Sequence, residues 1–261
     1  RDPDGAEVAT IVDFVITNPA PVAEDDALTG DEDTPTTLDL FIDNGGGIDM
    51  DPDGDVFNIT RVATGADVAA LGVLNDGDGL NTPIAGSDGG SFTVQADGTV
   101  DFDPGIDFQD LDDSETRITQ IVYQIDDGEG GTDTAVVTYT VAGVNDAPKV
   151  IDPNDPGDPK DPNDPADPDN VIPDQTGEDS SPLTPLDVSP YFTDVDDEPL
   201  TFGFDPNDPD VPAWLTIDPV TGVVTGTPPA NASQNGPNND GIYPLTLTAM
   251  DPDGEIVTTT V

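Results

Sequence analysis

The chain has 261 residues, with 56 Asp or Glu against 5 Lys or Arg, a formal charge of -51, and neither His nor Cys. Its five scattered cations (Arg1, Arg61, Arg117, Lys149, Lys160) form no basic stripe for phosphate or anionic lipid, which argues against nucleic acid and membrane surfaces as partners. Without imidazole or thiolate, the commonest catalytic bases, nucleophiles and zinc sites are missing, and only carboxylate chemistry and hard cations remain.

Period-2, β-branched runs recur in chain order: 7–17, 56–62, 91–94, 99–102, 118–125, 134–141, 200–204, 222–225, 243–249 and 255–261. A short helical turn is expected over 65–71. Asp outnumbers Glu 48 to 8, and Asp favours turns over helices. Low apolar content with high charge is the signature of disorder. Here, however, the acids cluster at turns between alternating apolar segments such as TAVVTYTVAG, so the expected class is an all-β, Greek-key sandwich architecture. No run approaches the roughly 20 apolar residues of a membrane span, and no signal peptide opens the chain, as expected of an internal or processed segment of a secreted protein.

Residues 2–11, DPDGAEVATI, return in similar form as DPDGEIVTTT at 251–260. This suggests a window on a longer array, with residues 1–17 holding the last strand of a preceding module. From Asp152 the chain reads DPNDPGDPKDPNDPADPD, an Asp-Pro-x triplet repeated six times. Proline fixes φ and keeps the residue before it extended, so residues 149–170 are expected to be a polyproline II spacer between two modules, 18–148 and 171–261.

The strongest local motif is IDMDPDGDVFNI, which places Asp49, Asp51, Asp53 and Asp55 at alternate positions around a glycine turn and suits the several hard ligands of calcium. Its twelfth position is Thr60 instead of a bidentate Glu, and strands flank it, so it is not an EF-hand. Companion clusters are Asp194, Asp196, Asp197 and Glu198 in FTDVDDEPLTF, and the hairpin acids Asp126, Asp127, Glu129, Asp133 and Asp251, Asp253, Glu255. Asp2 and Asp4 hold the corresponding turn in the first copy of the repeat. The plain reading of any one cluster is a set of solvated turn acids. Taken together they point to bound divalent ions, because close carboxylates repel by about 1 kcal/mol per pair at 4 Å even in bulk water. Trp214 is expected in the core in preference to a sugar platform.

Residues 18–148 resemble a VCBS-type cadherin-like repeat of giant bacterial surface proteins, through NPAPVAEDD, EDTPTTLDL, DMDPDGDVFNI, ADGTVDFDP, FQDLDDSETRITQIVYQIDDGEGGTDTAVVTYTV and VNDAP. Residues 171–261 resemble a dystroglycan-type cadherin-like or Ig-like module, through FTDVDDEPLTF, PAWLTIDPVTGVVTGTP and YPLTLTAMDPDGEIVTTTV. The resemblance implies tandem sandwiches with calcium near domain junctions. It adds Asn145, Asp146, Glu32 and Glu178 to the ligands, beside Asp51, Asp53, Asp55, Asp126, Asp127 and Asp133. The intervening Asp-Pro run would leave an ion at Asp146 short of ligands from the next module.

The expected function is a calcium-stiffened, non-enzymatic stalk of a large cell-surface adhesin, on a bacterial surface or secreted. Its partners would be calcium, neighbouring modules and, by strand addition of residues 7–17, other copies head to tail. The alternatives are calcium-dependent polysaccharide-binding modules, or acidity as adaptation to high salt.

Overall fold

A computed structural model describes residues 4, 11, 13–151, 172–196 and 199–260. It divides into two units: one of residues 1–108 and 116–141, the other of residues 109–115 and 142–261.

Unit 1 is built from eight strands: β1 (Asp26–Asp31), β2 (Thr36–Asp39), β3 (Asn58–Thr64), β4 (Ile84–Ala85), β5 (Ser91–Val94), β6 (Thr99–Asp103), β7 (Thr116–Asp126) and β8 (Thr132–Ala142). They form two four-stranded sheets, ordered β1-β8-β7-β3 and β2-β6-β5-β4. Alternation along the strands decides the facing. In β8, Ala135, Val137, Tyr139 and Val141 are buried while their neighbours are partly exposed. Tyr139 joins the two sheets: its ring stacks on Phe102 at 4.0 Å and meets Phe92 edge-on at 6.2 Å. Its hydroxyl bonds the Thr36 hydroxyl at 2.7 Å, so burial leaves no polar atom of the ring stranded. Gly30 lies over this ring, where a side chain would meet the Tyr139 hydroxyl. The expected helical turn forms as a single 3-10 segment, Val68–Val73, capped by Asp67 accepting from the Ala69 N–H at 3.0 Å.

Unit 2 carries β9 (Lys149–Val150), β10 (Leu186–Asp187), β11 (Phe192–Thr193), β12 (Thr201–Phe204), β13 (Leu215–Ile217), β14 (Val223–Gly226), β15 (Thr246–Met250) and β16 (Ile256–Thr260). Their sheets are β10-β14-β13, β12-β15-β16 and the pair β11-β9. Val150, Ile172, Val188, Phe192, Phe202, Leu215, Val224, Leu247 and Ala249 form its core. Trp214 packs against this core and meets Tyr243 edge-on at 5.5 Å, as its apolar context predicts.

Both units are sandwich-like and nearly all β, as expected. Several details differ from the expectation, among them the short strands β4, β10, β11 and β13, which no expected run covers. β1 and β2 were not recognised, because DALTGD and TTLD are short and polar and become strands only beside β8 and β6. The run at 7–17 forms no strand at residues 11 and 13–17, and the rest of the run falls outside the described residues. Finally, Lys149 and Val150, read as the start of the spacer, are the strand β9, paired with Thr193 and Phe192. The Asp-Pro repeat lies outside the described residues, but Val150 and Ile172, on either side of it, stand in the same core.

Candidate metal centre

Unit 2 draws acids from four segments of the chain. The Leu111–Ser114 turn supplies Asp112, the segment leading into β9 supplies Asn145 and Asp146, the loop after β11 supplies Asp194 and Asp196, and the β15–β16 turn supplies Asp251. The backbone holds this set in place. Asp251 Oδ1 accepts the N–H groups of Gly254 and Glu255 at 2.6 and 2.9 Å, which orients the carboxylate within its own turn. Asn145 Nδ2 donates to Asp251 Oδ2 at 3.3 Å, and the Asp146 N–H donates to Asp196 Oδ2 at 2.8 Å. Asp194 Oδ1 accepts the Asp196 N–H at 3.2 Å.

These bonds occupy one carboxylate oxygen of Asp194 and one of Asp196 and leave the other bare. Asp112 Oδ1, Asn145 Oδ1, Asp146 Oδ2, Asp194 Oδ2 and Asp196 Oδ1 are buried without a hydrogen-bond partner. A buried oxygen with no donor is costly, so five from one constellation call for an explanation. Burial raises the Asp194 and Asp196 carboxyls above the ordinary range, helped for Asp194 by the charges of Asp251 and Asp146 and for Asp196 by Asp194, Asp146 and Asp112. Exposed Lys149 lies 3.9 Å from Asp146 Oδ1. Hard oxygens that lack donors suit Ca2+ in kind and offer nothing to a soft metal, although among the described residues only Asp51, Asp53 and Asp55 bring three carboxylate oxygens within 4.8 Å of one another.

Unit 1 repeats part of this plan. Asn18 Nδ2 donates to Asp127 Oδ2 at 2.8 Å, and Asp127 Oδ1 accepts from Glu129 and Gly131 in its hairpin turn. Asp133 accepts the Ala23 N–H at 3.0 Å. In the acidic turn, Asp51, Asp53 and Asp55 each bring a carboxylate oxygen within 4.8 Å of the others. Asp51 Oδ1 accepts the N–H groups of Asp53, Gly54 and Asp55, and a hydrogen bond between the two side chains lowers the Asp51 carboxyl while raising that of Asp53 to about 6.

Asp49 does not join that group. Its oxygens accept the Glu24 N–H at 2.8 Å and the Tyr123 hydroxyl at 2.8 Å. The same hydroxyl lies 3.1 Å from Asp26, whose carboxyl burial lifts to about 7. Asp49, Tyr123 and Asp26 are thus an internal polar network with its donors supplied.

Of the other expected ligands, Asp126 caps Gly128, Glu129 and Asp253 are exposed, and Glu255 donates its backbone N–H to Asp251. Glu32 is buried just after β1, whereas Glu178 is exposed and its backbone carbonyl accepts the Ser181 N–H. Asp4 is exposed; Asp2, Asp197 and Glu198 lie outside the described residues. Asp112 was missed. Its signal is the acidic turn DLDD ahead of the long strand β7, but nothing in the spacing ties that turn to Asp194, 82 positions further on.

Residues 18–143 match the family model of the bacterial cadherin-like domain, and residues 167–261 match that described as "Putative Ig domain". The chain is a bacterial cadherin-like domain followed by an Ig-type domain. Both are extracellular, adhesion-type structural modules by kind. The Asn145–Asp146 pair and β9 fall between the two matched segments, yet they fold with the Ig-type unit. Solved structures similar to the chain include the protocadherin gammaB4 extracellular domain (16% identity, TM-score 0.43, covering 92% of this chain and 33% of that one). Others are mouse cadherin-23 EC22-24 (13%, 0.47, 94% and 62%) and the human desmocollin-1 ectodomain (12%, 0.39, 95% and 37%). The chain spans less than two thirds of each of these. No curated protein matches it. Among the described residues no helix is long and apolar enough to cross a membrane.

Proposed function

We propose that the chain is a calcium-stiffened structural segment of a large bacterial surface or secreted adhesin, of the VCBS-type cadherin-like kind, and that it performs no catalysis. The observation that carries this reading is the set of five buried, donorless oxygens of Asp112, Asn145, Asp146, Asp194 and Asp196. In the absence of an ion these groups repel one another and loosen the loops that carry them. Calcium replaces the missing donors and ties the 111–114 turn, the approach to β9, the loop after β11 and the β15–β16 turn into one rigid end. The Asp51, Asp53 and Asp55 turn is the second candidate: Asp51 Oδ2 is likewise buried without a donor, while Asp53 is exposed.

The test is calorimetric unfolding with calcium titrated against magnesium and matched sodium chloride. Extracellular modules bind calcium at roughly 0.1 to 1 mM, and at 100 times the dissociation constant a bound ion adds about 2.7 kcal/mol. A calcium-specific rise in melting temperature is the expected result. An equal response to sodium would mean that the acids are only screened.

A further inference from the structure

The chain leaves β8 at Ala142 and is tied into unit 2 before it reaches the Asp-Pro run. Asn145 Nδ2 donates to Asp251 at 3.3 Å, and the Asp146 N–H donates to Asp196 at 2.8 Å. Lys149 and Val150 pair with Thr193 and Phe192, and the Ile151 N–H donates to the Tyr191 carbonyl at 2.9 Å. After the run the chain is tied again. Ile172 shares a core with Val150, and the N–H groups of Ser180 and Leu183 donate to the Pro228 and Gly226 carbonyls at 3.0 and 2.9 Å. Residues 152–171, 20 in number, thus join two points that the fold already holds in one core.

The attachment ahead of the run is the slighter one. Residues 145–151 are held by two rungs of ladder and a few single hydrogen bonds, whereas β12 and β15 share four rungs and β15 and β16 five. Val150 is one of nine residues of the core, so its withdrawal leaves the other eight in place. Bare oxygens also face the joint from both its sides: Asn145 Oδ1 and Asp146 Oδ2 belong to the tied segment, and Asp194 Oδ2 and Asp196 Oδ1 to the body that receives it. Without an ion the carboxylates on the two sides repel; an ion held by both sides strengthens the joint, a point that rests on the calcium reading above.

We infer that residues 145–151 form a clasp that carries tension past the Asp-Pro run, and that opening of the clasp adds the run to the length of the chain while residues 172–260 stay folded. Tension along the chain passes from the clasp to β11 and the β15–β16 turn through the bonds named above. When the clasp parts, the 20 residues of the run enter the tension path and supply about 70 Å of contour, at roughly 3.3 to 3.6 Å per residue. The device lengthens a stalk under load before any module unfolds, and reclosing the clasp restores the original length.

The experiment is single-molecule force spectroscopy of the whole chain, held by DNA handles on cysteines added at its two ends, since it has none of its own. A short first step is expected ahead of the unfolding of either unit. With residues 152–171 replaced by a four-residue Gly-Ser bridge, that step should shrink by about 55 Å; with ten Gly-Ser residues inserted into the run, it should grow by about 35 Å. Circular dichroism checks the fold of each variant, and the insertion tests the proposal by itself if the shortened chain does not fold. The step should open at a higher force in calcium than in EDTA. A first step whose length ignores the insertion, or no step before a whole unit unfolds, would overturn the clasp, whatever calcium does to the melting temperature. Steps that follow the length of the run but open at one force in calcium and in EDTA would uphold the clasp and remove the ion from it.

Discussion

Asn145 reaches Asp251 across 106 residues of sequence, and its side-chain N–H meets the carboxylate at 3.3 Å. Asn18 makes the same contact with Asp127 in the other unit, at 2.8 Å. In each case an Asn ahead of a unit's first strand is tied to the turn of its last hairpin, and the amide oxygen of Asn145 is left without a donor.

The first prediction concerns those carboxylates. Replacing Asp196 by Asn removes one ligand charge and one source of repulsion. The calcium-induced rise in melting temperature should shrink, by about 1 to 3 kcal/mol of stabilisation at saturating ion, while the protein in EDTA should be no less stable than the parent. Calorimetry of both proteins with and without calcium checks this, and loss of stability in EDTA would contradict it.

The pH dependence of the ion-free protein follows from the same groups. Burial raises the folded-state pKa of Asp194 and Asp196, so between their unfolded and folded values the native state binds more protons than the unfolded one. Stability should therefore fall as pH rises through that window. In saturating calcium the carboxylates are held ionised and the trend should reverse, with stability lost as pH falls. Urea denaturation between pH 4.5 and 8 with and without calcium reads the two slopes.

Tyr123 gives a second pH signature. Asp26, raised to about 7, is protonated in the folded state where the unfolded chain is ionised, and its contribution fades as pH rises towards and past 7. Substituting Asp26 by Asn should flatten the slope in this range, at most about 1.4 kcal/mol per pH unit. Tyr123→Phe removes the donor shared by Asp26 and Asp49, which are buried at 3% and 5% exposure, and should cost about 1 to 3 kcal/mol. Urea midpoints at pH 6 and 8 separate the two effects.

The Asp-Pro run offers a test by deletion. Val150 and Ile172 share one core, so joining them by a short Gly-Ser bridge in place of residues 152–171 should leave the melting temperature and its calcium response unchanged. Collapse of the calcium response would show that the run contributes ligands or holds the two flanks in register.

Gly30 tests the core of unit 1. Gly30→Ala drives a methyl group into the Tyr139 hydroxyl and ring, which Phe102 and Thr36 hold from the other sides, and should destabilise by about 1 to 3 kcal/mol. Chemical denaturation reads this directly.

The sequence by itself determined the β class, the strands that alternate cleanly such as β7 and β8, and most of the acids around Asp251. Those features are local: period-2 alternation and Asp-Gly turns state their conformation within a few residues. Tertiary structure alone decided which acids meet. It drew Asp49 away to Tyr123, brought Asp112 within electrostatic reach of Asp196, and made β9 out of Lys149 and Val150 by pairing them with β11. The physical reason is the same each time. A carboxylate goes where a donor or a cation can satisfy it, and a short polar strand forms only where a neighbour completes its ladder, so the partner's position in space is the deciding fact.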